Sequence, residues 1–139
     1  MSRKADEYRG ELLKKNLPHV IRIHNDLFPD TFEGIAFFII DLTDTLGKAI
    51  SREVSKAFSN ITTKPNIFHN VDRNIMIAPC EFRTYLIIMN GLKDLLNLPE
   101  VDYLKVSGKV PICVIAAGSL AVFNDDYFET ENGNYTLTT

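Results

Sequence analysis

Between Gly34 and Asp41 the chain runs through six apolar residues without alternation, Ile-Ala-Phe-Phe-Ile-Ile. A run with no polar face predicts a strand covered on both sides. The period then changes. Leu46, Ala49, Ile50, Val54, Ala57, Phe58 and Ile61 recur at three- and four-residue intervals, the spacing that stacks side chains on one helix face. Leu42, Thr43 and Asp44 separate the two patterns. Thr43 or Asp44 carries the short oxygen-bearing side chain that satisfies free N–H groups in a first helical turn. Residues 37–58 therefore read as strand, tight turn and helix, with Asp41 at the strand's C-terminal end. Gly47 weakens that helix by about 1 kcal/mol relative to alanine.

Upstream, residues 2–16 are rich in helix formers and polar almost throughout. Their few apolar residues, Tyr8, Leu12 and Leu13, form a narrow stripe. Pro18 fits the first turn of a second helix, His19 to Phe28, where a missing N–H costs little. Val20, Ile23, His24 and Leu27 share a face of that helix, and Pro29-Asp30 closes it. So narrow a stripe on the first helix suits a partner's groove better than a core.

Downstream, Asn66 to Ala78 reads as two short strands around an Asp72-Arg73 turn. Phe82, Tyr85, Leu86, Met89, Leu92 and Leu96 fit a helical face. Residues 84–89 alone would pass as a buried strand, but the length of the segment favours the helix. After Pro99 the pattern is strand-like, with turns at Ser107-Gly108, Gly118 and Asn124-Asp125-Asp126. Asn132-Gly133 between alternating residues is the strongest hairpin signal in the chain. The expected architecture is α+β, one domain over residues 1–139. It has N-terminal helices, a central strand–helix unit and a mostly antiparallel sheet with a C-terminal β-hairpin.

Composition changes this picture little. With 139 residues, 45% hydrophobic and 24% charged, the chain can bury a real core. A net charge of −3 gives no signal for nucleic acid. No apolar run approaches the roughly 20 residues that span a bilayer, and the N-terminus shows no signal-peptide pattern. Cys80 and Cys113 lack metal-type spacing, so they are expected to be free thiols in a cytoplasmic protein. Charge is distributed unevenly. Residues 1–22 carry a local +3 and residues 99–139 a local −4, an opposition that can orient contact between copies.

Candidate chemistry concentrates at Asp41. The stretch Phe37 to Gly47, with Asp41, Thr43 and Thr45 at fixed offsets, resembles the phosphorylation loop of haloacid-dehalogenase-like phosphotransferases. The resemblance implies Asp41 as nucleophile, Thr45 as phosphoryl-binding hydroxyl, Asp125 and Asp126 as an acidic pair holding Mg²⁺, and Lys105 or Lys109 as the lysine. Thr43 stands where phosphatases of that family usually have a second Asp, and only Asn90 is placed to serve as the family's second strand-end Ser or Thr. The stretch "NIMIAPCEFRTYLIIMN", residues 74–90, looks like the late strand pair of Roadblock-type domains, which implies a small non-catalytic dimer. Read from the residues alone, the Asp41 turn (Asp41, Thr43, Asp44, Thr45) beside a helix N-terminus can take a small phosphorylated or nucleotide ligand. His24, on an apolar face, is expected to pack rather than ligate. His69 with Cys80 or Cys113 has no spacing that specifies zinc.

The sequence thus supports a small intracellular binding or assembly module without catalysis or cofactor, self-associating or bound to a protein partner. Tyr8, Leu12, Leu13, Lys14 and Lys15 are its expected interface. The alternative is an Asp41-centred, Mg²⁺-dependent phosphotransfer enzyme or an inactive relative.

Overall fold

The computed structural model describes residues 2–27, 35–61, 67–70, 74–96, 111–123, 128–131 and 134–137. Helix α1 spans Ser2–Leu27, strand β1 Ile35–Asp41, helix α2 Thr45–Ile61, β2 Phe68–Asn70, β3 Ile75–Glu81 and helix α3 Phe82–Leu96. Strands β4 (Ile112–Ala116), β5 (Ser119–Phe123), β6 (Phe128–Glu131) and β7 (Asn134–Leu137) follow. Strands β1 to β5 form one sheet in the order β2-β3-β1-β4-β5, and β6 pairs with β7 separately. Only β1 and β4 run parallel; the other pairs are antiparallel. The fold is α+β, as the sequence pattern predicts.

Strand β1 lies between β3 and β4, and every residue in it is buried. Its pleat sends Ala36, Phe38 and Ile40 to one face, where Met76, Ala78, Cys113 and Ile115 join them beneath α2 and α3. Ile35, Phe37 and Ile39 point to the other face, with Ile77, Ile112 and Val114, and α1 covers them. Two faces buried by helices explain why β1 lacks alternation. Helix α2 presents Ile50 and Val54 to the sheet; α3 presents Tyr85, Ile88, Met89 and Leu92.

Pro79 sits inside β3 without breaking it. The Phe37 N–H is donated to the Pro111 carbonyl at 3.0 Å, so its cross-strand partner Pro79 turns its backbone away from β1. On that side β2 reaches only to Ile77. The missing donor falls where no described strand pairs with β3.

Three expectations fail here. First, there is one N-terminal helix and not two: α1 runs through Pro18. Pro18 and Lys14, whose carbonyl loses its N–H partner, are both exposed, so water can take the freed oxygen. Second, α1 is no narrow-striped appendage. Leu12, Leu13, Leu17, Val20 and Ile23 are buried on the sheet, which removes Leu12 and Leu13 from the expected interface and leaves Tyr8, Lys14 and Lys15 at the surface. Third, residues 82–90 are helical, as the length of the segment favours, so the strand pair that the Roadblock resemblance implies does not form, and Asn90 ends no strand as the phosphotransferase resemblance would need. The turns at 107–108, 124–126 and 132–133, with Lys105, Lys109, Asp125 and Asp126, lie outside the described residues.

His24 is buried on α1 with its ring centroid 6.3 Å from that of Phe37, a packed residue as expected. Burial lowers its pKa from 6.5 to about 4. The folded ring stays neutral while the unfolded chain takes up a proton below pH 6.5. Its contribution is therefore complete above that value and is lost as the pH falls toward 4. Between pH 7 and pH 5 this amounts to about 2 kcal/mol. Urea unfolding at both pH values should show that much extra loss in the wild type over His24→Leu. Equal losses would place the acid sensitivity elsewhere.

Candidate functional site

Asp41 is the last residue of β1 and belongs to the odd-numbered face, so its side chain emerges on the α1 side of the sheet. It is 4% exposed. Its Oδ1 accepts from the Thr43 N–H at 2.9 Å and from the Thr43 hydroxyl at 2.7 Å. Its Oδ2 accepts from the Tyr8 hydroxyl at 3.1 Å, across 33 residues of sequence. The first two bonds form a local turn in which a carboxylate replaces a backbone acceptor. The third fixes the start of α1 against the end of β1. Burial, then the Asp41 charge and hydrogen bond, raise the Tyr8 phenol above its ordinary pKa.

Asp44 is spent differently. It caps α2: its Oδ2 accepts from the Gly47 N–H at 3.0 Å and its backbone carbonyl from the Lys48 N–H at 2.8 Å. Its Oδ1 accepts from the Gly118 N–H at 3.1 Å. That N–H belongs to the two-residue β4–β5 turn, where Ala117 and Gly118 both have positive φ, 53° and 77°. Such a pair of dihedrals suits a tight hairpin with native twist. One carboxylate thus binds the strand–helix turn to a neighbouring hairpin. Arg9, buried on α1, adds a parallel tie by donating to the Ala116 carbonyl at 2.9 Å.

Gly47 is required here for space. A Cβ added to it would overlap the Asp41 carbonyl oxygen and lie 3.0 Å from the Asp41 carbonyl carbon. The helix starts this close to the strand end because one residue has no side chain.

Beside this turn lies a cleft of about 410 Å³, between α1 and the ends of β1 and β3. Tyr8, Asp41 and Thr43 form its polar end, and Lys15 and Asn16 its α1 wall; Leu12 and Ile75 supply apolar surface. Asn16 is 1% exposed and donates from Nδ2 to the Leu12 carbonyl at 2.8 Å. Its Oδ1 is buried and accepts no hydrogen bond from the described residues.

The structure therefore brings together Asp41, Thr43 and Tyr8 from the sequence-predicted set. Asp44 is near them but occupied as a cap, and Thr45 is exposed on the first turn of α2. Sequence reasoning missed Asn16, Lys15 as a cleft residue, and Ile75. Cys80 and Cys113 are free and buried. Burial, and for Cys80 also the Glu81 charge, push the Cys80 thiol up to about 12 and the Cys113 thiol higher than usual. Neither is a reactive thiolate at neutral pH. Among the described residues no group of His, Cys, Asp and Glu could hold a metal ion, and no helix is long and apolar enough to cross a membrane. No protein-family model, curated protein or solved structure matches the chain.

Proposed function

We propose that this chain is a small binding module that works without catalysis, with the cleft between α1 and the end of β1 as its binding site. The engagement of both Asp41 oxygens, together with the Asp44 carboxylate seated on the α2 N-terminus, carries the proposal. A nucleophilic carboxylate must present an oxygen to its electrophile. Here one oxygen holds two groups of Thr43 and the other holds Tyr8. The N-terminus of α2, the natural seat for a phosphoryl group, already holds the Asp44 carboxylate. A carboxylate already seated there disfavours a second anion.

The test is a Mg²⁺-dependent phosphatase assay on aryl phosphates and acyl phosphates. No turnover is expected from the wild type, and Asp41→Asn should fold with near-native stability, since an amide oxygen can still accept from Thr43. Robust turnover that vanishes in Asp41→Asn would establish the phosphotransfer alternative instead.

Self-association belongs to the same proposal and rests on the opposed charges of residues 1–22 and 99–139, with Lys14 and Lys15 exposed on α1. Two buried, unbridged thiols support a reducing cytoplasmic setting. Sedimentation at tens of micromolar should give a mass above the 15.7 kDa of one chain. A monomer would remove assembly and leave ligand binding.

A further inference from the structure

Resting on the cleft's role as a binding site, we propose that it takes a small zwitterion of the amino-acid class. Its ammonium group would sit at Asp41 and Asn16, its carboxylate at Lys15, and an apolar side chain against Leu12 and Ile75.

The direction of the hydrogen bonds selects the ligand's charge. Tyr8 and Thr43 each spend their single hydroxyl proton on Asp41. What they retain toward the cleft is lone pairs. Asp41 Oδ2 accepts one hydrogen bond and has capacity for another. Asn16 Oδ1 accepts none from the described residues. Apart from Lys15, the polar lining of the cleft thus offers mainly acceptors, with one negative charge. The groups bonded to that charge are all neutral: two hydroxyls and an amide. A buried carboxylate without a cation is costly, and an ammonium group supplies both the cation and the missing donors. Among the described residues Lys15 is the one positive group lining the cleft, and it adjoins Asn16 on α1, which suits a carboxylate carried on the same carbon as the ammonium. The volume, about 410 Å³, lies in the lower part of the range of roughly 300–1,000 Å³ for small-molecule sites.

Asn16 supplies the independent observation. It occupies a core position of α1, between buried Leu13 and Val20, where leucine would pack without an unsatisfied carbonyl. No described protein group donates to this buried acceptor, so a donor carried by a ligand finds it unopposed.

Calorimetry on the full-length protein would use L-leucine, N-acetyl-L-leucine, L-leucinamide, methylammonium, acetate, Mg²⁺ and Ca²⁺. L-Leucine should bind. Removing the ammonium in N-acetyl-leucine should weaken binding by about tenfold or more, the scale of one charge-assisted hydrogen bond. Leucinamide should bind less tightly than leucine, and Lys15→Ala should weaken leucine but not leucinamide. Asn16→Leu should lose leucine binding by a similar factor while melting no lower than the wild type. Equal binding of leucine and N-acetyl-leucine, an unaffected Asn16→Leu, or binding of a divalent ion in place of leucine would each overturn the assignment. So would silence from the whole panel, and that result leaves the absence of catalysis to be decided by the phosphatase assay alone.

Discussion

Gly47→Ala is expected to destabilise the protein by about 2–3 kcal/mol, opposite in sign to what helix propensity predicts. Propensity alone favours alanine by about 1 kcal/mol in a helix interior. Sterics decides the outcome, because the new Cβ would meet the Asp41 carbonyl, a backbone atom in the central strand. Relief requires α2 to move. Its first turn is held by the Asp44 cap on Gly47, by the Lys48–Asp44 bond and by the Asp44 bond to Gly118. Further along, Ile50 and Val54 are fully buried in the sheet. Overpacking against surroundings of this kind costs about 1–3 kcal/mol, sometimes more. Gly91→Ala is the matched control. It is also helical, exposed, and has nothing within 4 Å of an added Cβ, so it should stabilise by about 0.5–1 kcal/mol. Urea unfolding of both variants checks the pair. If Gly47→Ala also stabilises, the strand–turn–helix junction is looser than its geometry indicates.

The other large effect is expected from deleting residues 2–16, which should leave no cooperatively folded protein. The deletion removes Leu12 and Leu13, 8% and 1% exposed, each contributing about 1.5–3 kcal/mol by burial. It also removes the Tyr8–Asp41 and Arg9–Ala116 bonds and bares part of the sheet face around Ile39 and Val114. Together these approach the 5–15 kcal/mol that keeps an ordinary domain folded. Near-ultraviolet dichroism should be lost and thermal unfolding should become gradual. Leu13→Ala alone should cost about 2–5 kcal/mol. A sharp melt of the truncated chain would show that the remaining helices and sheet fold without α1's first half.

How much of this was legible depends on whether a segment's signal is local. The apolar run of β1 and the regular stripe of α2 declare themselves, because each is buried by its own period. The Asp44 cap follows from residue type and position. Helix α1 reads as two helices because Pro18 interrupts it and two polar residues, Arg9 and Asn16, stand at buried positions of its stripe. With them included, Arg9, Leu13, Asn16, Val20 and His24 run at three- and four-residue spacing straight through Pro18. A polar residue in such a place dilutes the pattern that identifies a core face. It is also where the candidate site lies, as expected if local rules are broken where function needs it. The bond from Tyr8 to Asp41 could not be read at all, since it exists only once α1 has been laid across β1.

The order of synthesis sets a further condition on this sheet. Strand β1 is central, yet it leaves the ribosome before the other strands of its sheet, and Ile112 of its parallel partner β4, which pairs with Phe37, follows 75 positions later. At about 5–20 residues per second that interval lasts roughly 4–15 s. Throughout it, Ile-Ala-Phe-Phe-Ile-Ile has at most one of its two edges covered, by β3. A short, uncharged, aromatic-rich strand in that condition is a nucleus for intermolecular pairing. The nascent chain should therefore depend on holdase chaperones during translation to a degree that the stability of the finished fold does not reveal.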